Sequence, residues 1–290
     1  MIAQLHDAGR RPRLIAKAGV ALLLLPMFAT QAQVSQAPPE RKVEPPVKYT
    51  HPMPGVQMSI LAQANLNAPR AKAPMNFTGT WLMQRTATNG PPPDWEFWPL
   101  PKLTPAGQEI YNAKLKADAE GKAYHDDTAR CYPPGMPRYL TRVWPIEIIQ
   151  LPTAIIMIQG FENNVRWIYM DGRKHVDPDT AVSSYDGDSI GHWEGKSLIV
   201  DTINLEPSHH WVQAGIPMSA DFHIVEKWTL SDDGKVLDIQ LTMTDPKYWV
   251  GDWVNTKHYN LRDDRDIGEI ECIAEQMAKL PSAQGDSNVR

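Results

Sequence analysis

Eight short β-forming segments follow one another from Val143 to Leu261, and this succession constrains the fold more than any other feature. They are rich in Ile, Val, Trp and Tyr, and turn-forming residues separate them at hairpin lengths. In order they read VWPIEIIQ, TAIIMIQGF, VRWIYMDGR, DSIGHW, SLIVDTINL, HIVEKWTL, VLDIQLTMTD and WVNTKHYNL. FTGTWLMQ supplies a ninth strand upstream. A meander of this length protects its edge strands by closing, so we expect an all-β fold with a single antiparallel barrel.

One convincing helical segment precedes the run of strands, from Thr104 to Glu120. Thr104 is a suitable N-cap, Pro105 suits the first turn, and we assign Gln108 to the capping box of the same helix start. Gly121 is typical of the residue that ends a helix. We therefore expect one helix on the N-terminal side of the barrel.

The first residues have the pattern of a secretory signal peptide, residues 1–32. Four basic side chains precede an apolar run from Ala18 to Ala29, and small and polar residues follow it. The run is short for a membrane span, which needs about 20 residues, although a permanent N-terminal anchor stays open. The pair Arg10-Arg11 resembles that of a twin-arginine signal. We expect an exported, periplasmic protein with no membrane span after processing.

Charge limits the partners. The whole chain carries −5, and subtracting the +3 of the leader leaves −8 for the remainder. Nucleic acid and anionic lipid both require clustered Lys and Arg, so neither is expected as a partner.

The remaining chain divides by composition into three parts. Residues 33–74 are rich in Pro, Ala, Gln and Lys, which is typical of a disordered linker or a wrapping arm. Residues 75–277 hold the helix and all nine strands and form one domain. Residues 278–290 are expected to be a flexible tail.

Two cysteines, Cys131 and Cys272, are the only ones in the chain. In an oxidising compartment an even pair favours one disulfide, which we expect to join the start of the folded region to its end. Two separate buried thiols remain the alternative.

FTGTW, Phe77 to Trp81, resembles the Gly-x-Trp opening strand of lipocalins and other calycins. A broader resemblance covers residues 77–275 and is to a family of exported bacterial proteins, largely uncharacterised, that have a lipocalin-like barrel. The stretches that carry it are CYPPGMPR, PIEIIQ, YMDGRKH, GDSIGHWEGKSLIVDT, HIVEKW and TDPKYW. The resemblance implies a lipocalin-like barrel and export, and it assigns no catalytic residue.

The hairpin DSIGHWEGKSLIVDTI has two different faces. Alternation places Trp193 on an ordinary packing face with small and apolar residues, whereas His192 and Asp201 share the other face as diagonal neighbours. A carboxylate there can orient an imidazole for proton transfer if this face lines a cavity. The alternative is that both side chains point into water.

HIVEKW raises the same question for His223 and Glu226. Glu226 shares its face with three large apolar side chains, so it is either paired with a cation such as Arg166 or Arg173 or raised in pKa. We take His192, Asp201, His223 and Glu226 as the candidate catalytic residues.

Tyr169, Arg173 and His175 lie near a strand end, where barrels place ligand contacts. We take them as candidate substrate-binding residues, with a tight turn at Asp171-Gly172 as the alternative explanation.

The sequence favours neither a metal nor a nucleotide cofactor. It has no HExxH motif, no paired-Cys spacing and no Gly-rich phosphate loop after a strand. The adjacent His209 and His210 would point apart in a strand and are expected in a loop. A metal site built from His192, His223 and a carboxylate stays open.

Ten tryptophans occur against five phenylalanines, and several of them are expected in loops or at strand ends. Indoles at a barrel mouth favour a hydrophobic, aromatic ligand, and the alternative is that they plug the open end of the barrel. Without cofactors, the chemistry left to side chains is elimination, isomerisation or carbon–carbon cleavage by proton movement. We therefore expect a lyase- or isomerase-type enzyme acting on an aromatic or phenolic molecule such as a lignin-derived compound. A non-catalytic carrier of a similar molecule is the alternative, because both need the same cavity.

Overall fold

All nine predicted strands are present in the computed structural model, and they form one closed barrel. The structure describes residues 58–84, 96–122, 127–162, 164–177, 179–268, 270–273 and 275. The predicted leader, residues 33–57 of the predicted arm and the predicted tail lie outside these ranges. Among the described residues, no helix has the length and apolar character that crossing a membrane requires.

The barrel strands follow the chain order closely, with neighbours in the order β1-β11-β10-β9-β6-β5-β4-β3-β2. A separate two-stranded sheet, β7-β8, was not expected from the sequence. The strands are β1 Gly79–Met83, β2 Ile146–Gln150, β3 Ala154–Gln159, β4 Val165–Tyr169, β5 Asp188–Glu194, β6 Ser197–Ile203, β7 Trp211–Gln213, β8 Ile216–Pro217, β9 His223–Leu230, β10 Val236–Thr244 and β11 Trp253–Arg262.

The expectation of a purely antiparallel barrel is wrong at one place, because β4 and β5 run parallel. Ile168 lies opposite Ser189, and Tyr169 lies opposite Ile190. The reason is geometric: a ring with an odd number of strands cannot alternate in direction all the way round. A parallel pair needs a long crossover connection, which here is residues 170–187. We call residues 170–187 the crossover segment.

The helix prediction holds for α2, Pro105–Ala119. The hydroxyl of Thr104 accepts a hydrogen bond from the Gly107 N–H at 3.2 Å, as an N-cap does. The predicted role of Gln108 is wrong, because Gln108 lies one position beyond the capping-box site and its side chain donates to Asn112 at 2.9 Å. The other helices of the described residues are a single turn each, α1 Gln63–Leu66 and two 3₁₀ turns, Asp127–Arg130 and Arg138–Thr141.

The two ends of the barrel are closed differently. We call the end formed by the start of β1, the β2–β3 turn and the β5–β6 turn the arm end, and the opposite end the plug end. At the plug end the 3₁₀ turn Arg138–Thr141 fills the opening, with Gln159 donating to the Tyr139 carbonyl and Tyr259 donating to the Leu140 carbonyl, each at 2.6 Å.

Residues 58–74 of the predicted arm are packed against the arm end, in the manner of the wrapping arm that was one of the two alternatives. The hydroxyl of Thr153 donates to the carbonyl of Ile60 at 2.8 Å, and the side chain of Asn65 donates to Asp171 at 3.1 Å. Ile60 and Asn65 are both buried. These few buried contacts offset the ordering cost that the polar composition alone would leave uncompensated.

The barrel interior is filled by side chains that alternate inward along each strand. Its largest members include Trp81, Trp228 and Tyr259, each at most 1 % exposed. A fully buried aromatic side chain of this size contributes about 3 kcal/mol or more through removal of apolar surface from water. The interior is therefore a packed core.

The expected disulfide is present between Cys131 and Cys272, with an S–S distance of 2.12 Å and a Cα–Cα distance of 5.4 Å. It links the segment after the first 3₁₀ turn to the C-terminal end of the described chain. The two ends of the folded region are therefore held together covalently, as the cysteine count suggested.

Candidate functional site

The β5–β6 hairpin turns the face with His192 and Asp201 outward. Ser189, Leu198 and Val200 are fully buried inside the barrel, on the face that alternation assigned to packing. The side chain of His192 is 61 % exposed and lies 3.2 Å from Glu194. His192 is not brought to Asp201, so the solvated alternative describes this histidine.

Glu226 points into the barrel and forms an ion pair with Arg166, which was one of the two arginines considered for it. Both side chains are completely buried, and their N–O distances are 3.1 and 2.5 Å. Arg166 also donates to Ser189 and Thr202, and the Trp228 indole donates to Glu226 at 3.0 Å. The partners of Glu226 compensate its buried negative charge, which explains how a carboxylate can lie among apolar side chains.

Three of the predicted site residues meet on the outer face of the barrel, where they form a chain of alternating carboxylates and imidazoles. His175 Nδ1 lies 2.9 Å from Asp188 Oδ2, and His175 Nε2 lies 3.4 Å from Asp201 Oδ1. Asp201 Oδ1 in turn lies 2.7 Å from His223 Nε2. We call these four residues the Asp–His array.

Asp201 and His223, the solvent-side half of the array, attract each other electrostatically. The hydrogen bond to His223 lowers the pKa of Asp201, and the same bond raises the pKa of His223. Both shifts favour the charged forms, as expected for a carboxylate beside an imidazolium. Both side chains of the pair are more than a third exposed, so solvent screens the attraction between them.

Arg173 is paired with neighbouring residues of the protein. Its guanidinium makes a two-pronged pair with Asp171, at 2.8 and 2.7 Å, and lies 4.0 Å from the centre of the Tyr169 ring. These hydrogen bonds lower the pKa of Asp171 to about 2. Arg173 therefore fixes the start of the crossover segment over Tyr169.

A pocket of about 480 Å³ lies between the outer face of β4 and the crossover segment, and the array begins at its wall. We call it the crossover pocket. Its apolar and aromatic walls come from Trp167, Tyr169, Val176 and Tyr185, and its acidic groups are Asp186 and Asp188. No cationic side chain is among the described residues that line it.

The two carboxyl groups of the crossover pocket are in different environments. Burial raises the pKa of Asp186 to about 6, and the positive charge of Arg166 opposes that shift in part. Its Oδ1 atom is buried without a hydrogen-bond partner. Asp188, by contrast, accepts from the Val176 N–H at 2.8 Å and contacts His175. One carboxyl group thus favours the neutral form while its neighbour is held by donors.

Gly187 joins the two aspartates and permits the bend between them. Its φ is +66°, and a Cβ atom there would lie 2.6 Å from the carbonyl oxygen of Ile203. Only glycine accepts this backbone conformation with the neighbouring strand so close. The sequence feature that marks this pocket is therefore the triplet Asp186-Gly187-Asp188. We did not predict a site there, because we predicted it on the hairpin that follows.

A second, larger groove of about 1050 Å³ lies at the arm end, between residues 66–78 and the strand ends. His192 and Trp193 line it, together with Met75 and Met170. Phe77 stacks on Trp193 with ring centres 5.7 Å apart and closes the groove toward the core. His192 is thus at a groove, although away from the array.

One set of three His, Cys, Asp or Glu ligand atoms lies within 4.8 Å of one another in the described part of the chain. It consists of Cys131, Glu162 and Cys272, and both sulfur atoms are already in the disulfide. His192 and His223 have separate partners, Glu194 and Asp201. The described geometry therefore does not assemble the metal site that the sequence left open.

No protein-family model matches the chain, and no curated protein sequence matches it. The resemblance to exported lipocalin-like proteins therefore stays an expectation.

Proposed function

We propose that the protein is an acid–base enzyme of lyase or isomerase type whose active site is the crossover pocket. The observation that carries the proposal is that Asp186 and Asp188, on either side of Gly187, both line a pocket walled by aromatic rings. Two titratable groups with diverging environments are what a proton-transferring site requires.

The lining of the pocket favours an enzyme over a simple carrier. Burying a carboxyl oxygen without a hydrogen-bond partner costs stability, and a carrier gains nothing from it. Asp186 carries that cost at the wall of a pocket, and Asp188 connects the same wall to the array. A carrier remains the alternative function, because aromatic walls bind a ligand whether or not it reacts.

The substrate class follows from charge and shape. The acidic groups of the pocket repel an anion, whereas Trp167, Tyr169 and Tyr185 offer flat surfaces to an aromatic ring. We therefore propose a neutral aromatic or phenolic substrate with hydroxyl groups, such as a lignin-derived compound. The predicted substrate-binding role of Arg173 is not part of this proposal, because its guanidinium is paired with Asp171.

The proposed reaction moves one proton at each carboxyl group. Asp188 takes a proton from a substrate hydroxyl, and the electron pair of that O–H bond forms the C=O bond of a small aldehyde as the adjacent carbon–carbon bond breaks. The electrons of the broken bond form a C=C bond and expel a benzylic oxygen, which takes its proton from Asp186. Asp188 ends protonated and Asp186 ionised, so substrate and products balance without an oxidant.

The array offers the route by which the protons are restored. It runs from Asp188 in the pocket through His175 and Asp201 to His223, whose side chain is 38 % exposed. Its two end contacts are hydrogen bonds, whereas His175 Nε2 has no hydrogen-bond partner and must approach Asp201 from 3.4 Å before a proton can pass. Imidazole accepts and releases protons near neutral pH. Asp188 thus loses its proton toward solvent, and Asp186 regains one from water at the pocket.

The lipocalin-like character of the barrel is also a proposal, supported by the FTGTW stretch. Trp81 is buried, and its indole N–H donates to the Phe77 carbonyl at 2.8 Å, which fixes the start of β1. The site that we propose lies outside the barrel wall, because the interior is filled.

The proposed activity is tested by incubating the purified, chelator-treated protein with a panel of lignin-derived dimers and related phenolics. New products are followed by mass spectrometry, and Asp186→Asn and Asp188→Asn are each expected to lower kcat/KM by about 10²–10⁴-fold. Asp238→Asn is the matched control, because Asp238 also accepts from a histidine, His258, at 2.7 Å but on an exposed surface. Saturable binding without products would assign the pocket to a carrier, and full activity in both variants would exclude the assigned roles.

A further inference from the structure

The adjacent histidines His209 and His210 line one and the same pocket, contrary to what a strand would allow. In an extended chain, successive side chains point in opposite directions. Here His209 has a left-handed backbone, with φ at +55°, and the resulting bend turns both rings to the same side. A non-glycine residue in this conformation costs free energy that the surrounding contacts must offset.

The pocket has a volume of about 580 Å³ and lies beyond the plug end, where the connections after β6 and β10 leave the barrel. We call it the histidine pocket. The His209 ring stacks on Tyr132 with centres 4.3 Å apart and planes 10° apart. His209 Nδ1 lies 3.8 Å from Asp127 Oδ1, and the Asp127 side chain is 6 % exposed.

His210 closes the pocket from behind in its neutral form. Burial lowers the pKa of His210 to about 4, so the ring is uncharged at neutral pH. Its Nδ1 donates to the Glu206 carbonyl at 2.9 Å, and its ring lies 5.3 Å from that of Tyr185. Since Tyr185 lines the crossover pocket, the two pockets are back to back and share none of the residues that line them.

The charge of the histidine pocket differs from that of the crossover pocket. Its ionised lining consists of two cationic side chains, Arg130 and Lys247, and one carboxylate, Asp127, beside which His209 stands. Its apolar surface comes from Trp211 and Tyr248. This lining combines an aromatic slot with a net positive charge, on a protein whose overall charge is negative.

We propose that the histidine pocket is a second binding site, and that it takes a small aromatic carboxylate. The ring of the ligand packs against Trp211 and Tyr248, and its carboxylate lies toward Arg130, Lys247 and His209. A planar guanidinium and an imidazole both suit a carboxylate as hydrogen-bond donors. The site is independent of the proposed activity, because it shares no lining residue with the crossover pocket.

The test is a calorimetric titration of the full chain with benzoate, with benzyl alcohol and benzylamine as the neutral and cationic comparisons. Benzoate is expected to bind saturably and at least tenfold more tightly than either comparison. His209→Asn is expected to weaken benzoate binding at least tenfold, because asparagine tolerates a positive φ and keeps the backbone bend while the imidazole is lost.

Three variants control for misfolding and for benzoate binding at the other pocket. Lys247→Gln changes an exposed rim residue and is expected to weaken benzoate binding several-fold even if His209→Asn does not fold. Asp186→Asn and His258→Asn are expected to leave it unchanged. The proposal is overturned if benzoate shows no saturable binding, if benzylamine binds more tightly, or if a folded His209→Asn binds benzoate like the wild type.

Discussion

At the residue scale, the feature that sets the proposed site apart is one carboxyl group whose environment favours the proton. Asp186 has a buried, unpartnered Oδ1, whereas Asp188 two residues later is held by His175 and a backbone N–H. Neither difference is visible in the DGD triplet, because both aspartates have the same ordinary pKa in an extended chain.

The pKa of Asp186 predicts a pH-dependent stability. Because its folded pKa is raised from 3.8 to about 6, the stability it contributes is fully present below pH 3.8 and is lost as the pH rises through about 6. Asp186→Asn stays neutral, so its free energy of unfolding relative to wild type should rise across this range by on the order of 2–3 kcal/mol. Urea denaturation at several pH values measures it.

Asp252→Asn, which removes an exposed carboxylate, is the control for this series. It should change the free energy of unfolding little at any of these pH values. A difference between Asp186→Asn and wild type that stays constant with pH would contradict a proton-holding Asp186.

The His223–Asp201 pair predicts a weak coupling with a defined pH window. The stability that the pair contributes disappears as the pH rises through the raised pKa of His223. It also disappears as the pH falls through the lowered pKa of Asp201. A double-mutant cycle of His223→Ala and Asp201→Asn should therefore give about 1 kcal/mol or less near pH 6 and almost nothing near pH 9.

Turnover separates the array from an ordinary surface pair. His223→Ala should slow turnover of the substrate found in the panel, because it removes the solvent end of the proton route, and added imidazole should restore part of the rate. His258→Ala breaks a pair of the same length on the exposed face and should leave turnover unchanged. Equal rates for the two variants would remove the array from the mechanism.

At the element scale, the crossover segment forms one wall of the crossover pocket. The segment is needed because the barrel has an odd number of strands. Nine strands in a closed ring need a parallel pair, and a parallel pair needs a long connection. From Val143 onward, the longest connection between predicted strands is the one that contains β7 and β8. Residues 170–187 form the second longest. The parallel pair was therefore predictable in kind from the strand count, although we expected antiparallel neighbours throughout.

Gly187 gives the element-scale prediction. In Gly187→Ala the methyl group meets the Ile203 carbonyl at 2.6 Å in a left-handed conformation, and we expect a loss of about 2–4 kcal/mol with a matching loss of turnover. Gly234→Ala is the matched control, since Gly234 also has a positive φ but no atom within 4 Å of the added Cβ. It should cost about 1 kcal/mol, measured by the same denaturation assay.

Equal losses for the two glycine variants would show that only the left-handed backbone matters at position 187. The close approach to β6 would then not be what holds Asp186 and Asp188 in place. A full loss of turnover with unchanged stability would instead point to a displaced pocket wall.

At the scale of the whole molecule, the packed interior places the proposed chemistry on the outside of the barrel. Arg166 and Glu226 lie inside and join β4 to β9, while Ser189 and Thr202 add β5 and β6 to the same network. The strands that carry the crossover pocket and the array are thus tied together from within. A rigid barrel wall behind a site holds the functional side chains of that site at fixed distances from one another.

The disulfide gives the whole-molecule prediction. Cys131 and Cys272 are 141 residues apart, and chain-entropy models assign so long a loop about 4–5 kcal/mol of stabilisation. The double variant Cys131→Ser, Cys272→Ser should therefore unfold at clearly lower denaturant concentration than the oxidised protein. The reduced wild type should behave like the variant, and equal midpoints for all three would contradict a stabilising role.

The sequence by itself determined the local elements of this protein. The nine strands, the main helix and the pairing of the cysteines follow from alternation, capping and residue counts, all of which act over a few residues or by simple arithmetic. Which face of the β5–β6 hairpin points inward did not follow from the sequence, because His192 and Asp201 could either line a cavity or point into water.

Only the tertiary structure decided where the candidate site lies. Asp188, His175, Asp201 and His223 come from three strands and the crossover segment, and their contact depends on the parallel placement of β5 and the path of residues 170–187. The raised pKa of Asp186 depends on burial by distant residues. Sequence periodicity reports which side chains share a face, but contacts between faces and burial arise only when the whole barrel has closed.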